Sequence, residues 1–147
     1  MSKKKVIISA CILGENCRYD GKTKKIDSIM ELFQEYEIIP FCPEEPLFGT
    51  PRERISVVEI DGESRIITDT TNVDVTKDLE KEINNFIEKH PRVDAIILKS
   101  KSPSCGYKNT PVLNAQKELI KYDSGIAAKI LKKYFADIDI LDESTFH

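Results

Sequence analysis

A chain of 147 residues, 40% hydrophobic and 32% charged, has the length and composition of one domain around a single core, spanning residues 1–147. Its net charge of −3 comes from mixed acidic and basic residues without interleaved aromatic and basic positions, which argues against a nucleic-acid groove and for a small-molecule partner. No stretch approaches the ~20 apolar residues of a membrane helix, so no membrane partner is expected.

The first element in chain order is a β-branched strand from Lys4 to Ala10, closed by Gly14, with Cys11 just past its end. Lys3-Lys4-Lys5 and Ile8-Ser9-Ala10-Cys11 imitate a lipoprotein signal, but fewer apolar residues precede Cys11 than the roughly 7–15 of a signal core. A cytoplasmic location is the expectation. Ile26, Ile29, Met30 and Phe33 recur at helical spacing and predict a helix to about Tyr36; Glu37 to Phe41 then reads as a buried strand, again followed by a cysteine, Cys42. Prolines 40, 43, 46 and 51 predict a rigid, extended loop over Pro40–Arg52.

Ser56 to Thr68 alternates around Asp61-Gly62 and predicts a hairpin appended to the main fold. Asp74 or Thr76 is placed to cap a helix to about Lys89, with Leu79, Ile83, Phe86 and Ile87 on one face and Pro91 beyond its end. Val93 to Leu98 is the next strand, and the small-residue loop Lys99 to Gly106, containing Cys105, leaves it. After a variable stretch, Asp123 or Ser124 opens a helix to about Tyr134, and Ile138 to Leu141 is a last strand. The alternation predicts an α/β, Rossmann-like parallel sheet with right-handed crossovers, helices on both faces and a small β-hairpin insertion. The pattern carries no signature of oligomeric state.

Four cysteines, 11, 17, 42 and 105, are too few and too spread for a disulfide-stapled scaffold, and a lone cysteine is often only a small buried hydrophobe. Position changes that reading. Ligands of open parallel sheets bind beyond the carboxyl ends of the strands, and Cys11, Cys42 and Cys105 fall in loops leaving three different predicted strands. Those loops also carry polar residues: Asn16, Arg18, Tyr19 and Asp20; Glu44 and Glu45; Ser102 and Ser104. Zinc or a dithiol centre favours close Cys-x-x-Cys pairs, which this chain lacks, and neither His90 nor His147 stands near a cysteine. Cluster iron takes thiolate ligands, and three of them would leave one iron open as a Lewis acid; spacing alone does not establish a cluster.

Several motifs stand in order along the chain: Ser9-Ala10-Cys11-Ile12-Leu13-Gly14, Cys17-Arg18-Tyr19-Asp20-Gly21, Cys42-Pro43-Glu44, Pro51-Arg52, Asp74-Val75-Thr76, and Lys99 to Gly106 with Ser102-Pro103-Ser104-Cys105-Gly106. This set, covering nearly the whole chain, resembles the thiouracil desulfurase (TudS) family, formerly a domain of unknown function. The resemblance implies a 4Fe-4S cluster held by three cysteines, Cys11, Cys42 and Cys105, and a non-redox desulfuration of a small thiolated pyrimidine. Cys17 lies in a matching motif, as an alternative ligand or a neighbour of the open iron. The chain departs from the family between Tyr107 and Asp123, where Lys108-Asn109-Thr110-Pro111 replaces a Gly-rich segment.

In the expected chemistry the open iron takes the substrate sulfur while a carboxylate activates water toward the ring carbon. Glu44, anchored by Pro43 beside Cys42, is the candidate acid/base; its alternative is a solvated loop charge. Ser102 or Ser104 positions water or a ring oxygen, or simply forms the turn. Arg18, Asp20 and Arg52 bind the pyrimidine edge or pair with local charges. Two other readings remain: a zinc-binding or adaptor module using all four cysteines, and a metal-free enzyme with Cys105 as a nucleophile at a helix N-terminus.

Overall fold

The computed structural model describes residues 4–13, 27–48, 53–102 and 104–143. In chain order these form β1 (Lys5–Ser9), a 3-10 turn (Ala10–Leu13), α1 (Asp27–Leu32), β2 (Glu37–Phe41), α2 (Glu45–Phe48), β3 (Ile55–Ile60) and β4 (Glu63–Thr68). Then follow α3 (Thr76–Lys89), β5 (Ala95–Leu98), β6 (Thr110–Leu113), β7 (Leu119–Asp123), α4 (Ile126–Tyr134) and β8 (Ile140–Asp142).

The short apolar strands β2, β1, β5 and β8 lie side by side in that order, and every pair is parallel. Such a sheet is apolar on both faces because crossover helices cover both. Alternate residues of β1 serve the two sides. Val6 and Ile8 pack with Ile12, Ile97 and Ile29 of α1, whereas Ile7 packs with Ile39, Ile96, Leu79, Ile83 and Ile87 of α3, and Ala127 and Leu131 of α4. Leu79 and Ile83 are wholly buried, and each contributes about 1.5–3 kcal/mol of transfer free energy. Among the described residues no helix is long and apolar enough to cross a membrane.

The expected hairpin is present: Asp61 and Gly62 both take positive φ, 52° and 81°, as a tight two-residue hairpin turn demands. It is half of a larger unit. Strands β4, β3, β6 and β7 form a second four-stranded sheet, with β6 parallel to β3 and antiparallel to β7. Val57, Ile66 and Val112 face inward and join the core under α3. The β6–β7 pair occupies what reads in the sequence as a variable stretch, because Pro111 breaks the strand signal and β7 buries almost nothing.

Helix α3 begins at Thr76, and Asp74 works from just ahead of it: its Oδ1 accepts from Thr76 N at 3.0 Å and Thr76 Oγ1 at 2.6 Å. Thr76 Oγ1 in turn accepts from Ile66 N at 2.8 Å, tying the helix to β4. Burial alone would raise the Asp74 pKa, but hydrogen bonds from Arg65 and Thr76 outweigh it and hold the carboxyl at about 2. Helix α4 starts after Gly125, not at Asp123 or Ser124, since Asp123 ends β7 and the first helical N–H groups find a distant backbone acceptor. The Pro40–Arg52 stretch is not extended throughout. It includes α2, where Leu47 N and Phe48 N donate to Glu44 O and Pro46 falls within the first turn, which needs no N–H from it.

Candidate active site

Strand β1 pairs directly with β2 on one side and β5 on the other, in the registers Ser9↔Phe41 and Ile8↔Ile97, so the three carboxyl ends share one edge. Each end delivers a cysteine. Cys11 lies in the 3-10 turn that leaves β1 and is placed by its backbone alone. Cys42 follows Phe41 directly and is half-buried against the α1-side cluster, while Cys105 is buried in the α3–α4-side cluster. Lys99 N donates to Ser9 Oγ at 2.9 Å, stitching the loop after β5 to the end of β1.

Two of these loops meet through a buried polar contact. Ser104 Oγ, wholly buried, donates to Oε2 of Glu44, itself only 9% exposed, at 2.6 Å. A buried carboxylate demands strong partners, and a hydroxyl at this distance is a charge-assisted one. Glu44 therefore is not a solvated loop charge. Ser102 Oγ accepts from Cys105 N at 3.1 Å and Ser104 N at 3.3 Å, and lies 3.3 Å from Ser104 Oγ. With Ser104 donating to Glu44, the Ser102 hydroxyl hydrogen is the one that bridges the two serines. The pair forms the turn and also polarises a hydroxyl chain toward Glu44.

The loop's backbone is fixed as tightly as its side chains. Ser104 O accepts from Ala127 N at 2.7 Å and Ala128 N at 3.4 Å, and Gly106 O accepts from Gly125 N at 2.7 Å. The start of α4 is thus capped by backbone carbonyls of the cysteine loop. A Cβ on Gly106 would collide with Thr110 Oγ1 and lie 2.9 Å from Ser102 O, which explains glycine next to Cys105. Thr110 Oγ1 also donates to Ser102 O, at 2.7 Å.

The structure brings Cys105, Ser102, Ser104 and Glu44 together and sets Cys42 next to Glu44's loop. Cys17, Arg18, Asp20 and Arg52 lie outside the described residues. Among the described side chains, which exclude that of Cys11, no three His, Cys, Asp or Glu converge as a metal site. His90 closes α3 and packs its ring 4.8 Å from that of Phe86. Sequence reasoning missed Glu143, directly after β8 and 7% exposed. Burial would raise its pKa, but the Ser100 hydroxyl and N–H and the Lys99 ammonium lower it below the usual carboxylate range. Its only advance signal is adjacency of β8 to β5, which one-dimensional patterning does not reveal.

A doubly covered parallel sheet with thiols and a buried carboxylate beyond its carboxyl ends defines an α/β protein of the class whose ligands bind at that edge. The model of the 2-thiouracil desulfurase family matches residues 6–143, and the chain belongs to that family. It is 32% identical over 111 residues to the uncharacterized protein YbbK of Bacillus subtilis (strain 168), covering 69% of this chain and 72% of that one. Its structure is similar to that of the 4Fe-4S-dependent thiouracil desulfidase TudS, with a TM-score of 0.72 and 27% identity, over 97% of this chain and 93% of that one.

Proposed function

We propose that this chain is an iron–sulfur-dependent desulfurase that replaces the sulfur of a small thiolated pyrimidine by oxygen, converting a thiouracil to uracil and sulfide. Family membership and likeness to a 4Fe-4S-dependent thiouracil desulfidase support the reading. The observation that carries it is the Ser104–Glu44 hydrogen bond, which ties a buried acid/base to both the Cys42 and the Cys105 loop.

The donor set suits such a cofactor, because cluster iron takes thiolates and three cysteines follow three adjacent parallel strands. Cys11, Cys42 and Cys105 would hold it, and when bound it supplies a Lewis acid for the substrate's sulfur. Glu44 removes a proton from water, whose oxygen bonds to the ring carbon that carries sulfur. Carbon then loses its bond to sulfur, both water protons end on the departing sulfide, and no electrons change hands. Ser104 fixes the orientation of the Glu44 carboxylate, and Ser102 fixes Ser104. Arg18, Asp20 and Arg52 are the candidates for binding the pyrimidine edge, and Cys17 is the candidate for an alternative ligand or a neighbour of the open iron. Reduced thiols of this kind fit a cytoplasmic setting.

Glu44→Gln in anaerobically reconstituted protein keeps the iron–sulfur absorbance and stops uracil release from 2- and 4-thiouracil. Undiminished turnover in that variant removes Glu44 from the chemistry.

A further inference from the structure

The loop carrying Cys105 is fastened by the end of a strand that belongs to none of the cysteine motifs. Glu143 Oε1 accepts from Lys99 Nζ at 2.9 Å, from Ser100 N at 3.0 Å and from Ser100 Oγ, and its Oε2 lies 3.0 Å from Ser100 N. A carboxylate this buried is costly unless fully paired, and Lys99 and Ser100, at the root of the loop, pair it. Beside it, Asp142 Oδ2 accepts from Asn109 Nδ2 at 3.1 Å, and Asn109 Oδ1 accepts from Lys101 N at 2.8 Å.

The fastened segment is strained. Lys101 and Lys108 take φ of 62° and 65°, left-handed values that a residue with a side chain adopts only where its surroundings over-determine it. These two lysines bracket Ser102, Ser104 and Cys105. Glu143 holds the approach to Lys101, and Asn109 holds Lys101 itself and sits next to Lys108.

We infer that the carboxyl end of β8 is a clasp: Glu143, seconded by Asp142 through Asn109, is a positioning residue that keeps the Cys105 loop closed and so governs how firmly a cluster is retained. The second half rests on Cys105 being a ligand, as proposed above. Glu143 acts through Lys99 and Ser100, the residues it holds.

The test uses the full chain in two forms. In anaerobic apoprotein, iodoacetamide labelling is followed cysteine by cysteine with peptide mass spectrometry, for wild type, Glu143→Gln, Asn109→Ala and Asp74→Asn. In the iron-loaded protein, iron loss to a chelator is timed for the same variants. Loosening the clasp raises Cys105 labelling at least tenfold in Glu143→Gln, and by less in Asn109→Ala. Cys42 stays within twofold, and iron loss quickens severalfold. Asp74→Asn, which loses contacts to Arg65 and Thr76 instead, does not show this selective rise. Parallel acceleration at Cys42 and Cys105, no acceleration, or a Cys105 rise without faster iron loss overturns the inference. Should Glu143→Gln fail to fold, Asn109→Ala decides by the same criteria. A chain that takes up no iron ends the desulfurase reading, while the labelling arm still decides the clasp on its own.

Discussion

Removing the Ser104 hydroxyl tests the contact on which the site is built. Ser104→Ala deletes a wholly buried donor 2.6 Å from Glu44 Oε2 and changes almost no volume, so the loss is electrostatic and not a packing defect. A hydrogen bond to a charged acceptor contributes about 1.5–3 kcal/mol, and a buried carboxylate deprived of it bears the desolvation penalty. The apoprotein should therefore lose about 2 kcal/mol in urea unfolding at neutral pH. A Ser104→Ala/Glu44→Gln double-mutant cycle should recover most of that loss as coupling between the two sites. If the same bond orients the base, turnover falls about thirtyfold, the rate equivalent of about 2 kcal/mol. Ser104→Ala within about 0.5 kcal/mol of wild type, with zero coupling and unchanged turnover, refutes the reasoning.

Gly106→Ala should destabilise the protein by about 2–3 kcal/mol, since the new methyl group meets Thr110 Oγ1 and Ser102 O and displaces the bond between them; thermal unfolding reads it, and a neutral result contradicts the packing. Asp74 is depressed to about 2 from 3.8, so its contribution is fully present above about pH 4 and is lost as pH falls through about 2. With its side chain 38% exposed, solvent screening brings that contribution to about 1 kcal/mol. Asp74→Asn should lose this at pH 7 and differ little from wild type at pH 2, measured by urea unfolding. Leu79→Ala, at a wholly buried position of α3, should cost about 2–5 kcal/mol by the same assay.

Much of the fold was legible because its central pieces are locally self-consistent. Strands β1 and β2 are apolar runs that end at a polar or proline-bearing loop, and α3 shows its apolar stripe of Leu79, Ile83 and Ile87 at helical spacing. Cys11, Cys42 and Cys105 stand out in the sequence because each lies in the loop after such a strand, and Glu44 because proline precedes it two residues from Cys42. What escaped depends on partners distant in sequence. Strand β7 exposes Leu119, Ile120 and Tyr122 and is held by pairing with β6, not by burial, so it has no alternating pattern. The start of α4 is set by Ser104 O, a backbone acceptor that no residue type announces. Glu143 is one of 25 acidic residues in the sequence, and only the parallel pairing of β8 with β5 brings it to Lys99 and Ser100.

The proposed desulfurase needs thiolates from three neighbouring strand ends to hold one cluster. Iron and acid-labile sulfide per chain, determined after anaerobic reconstitution, should come to about four of each in the wild-type protein. The same determination on Cys11→Ser, Cys42→Ser and Cys105→Ser should show each substitution losing most of both. Undiminished iron and sulfide in all three variants, or zinc in place of iron in the wild-type chain, contradicts it.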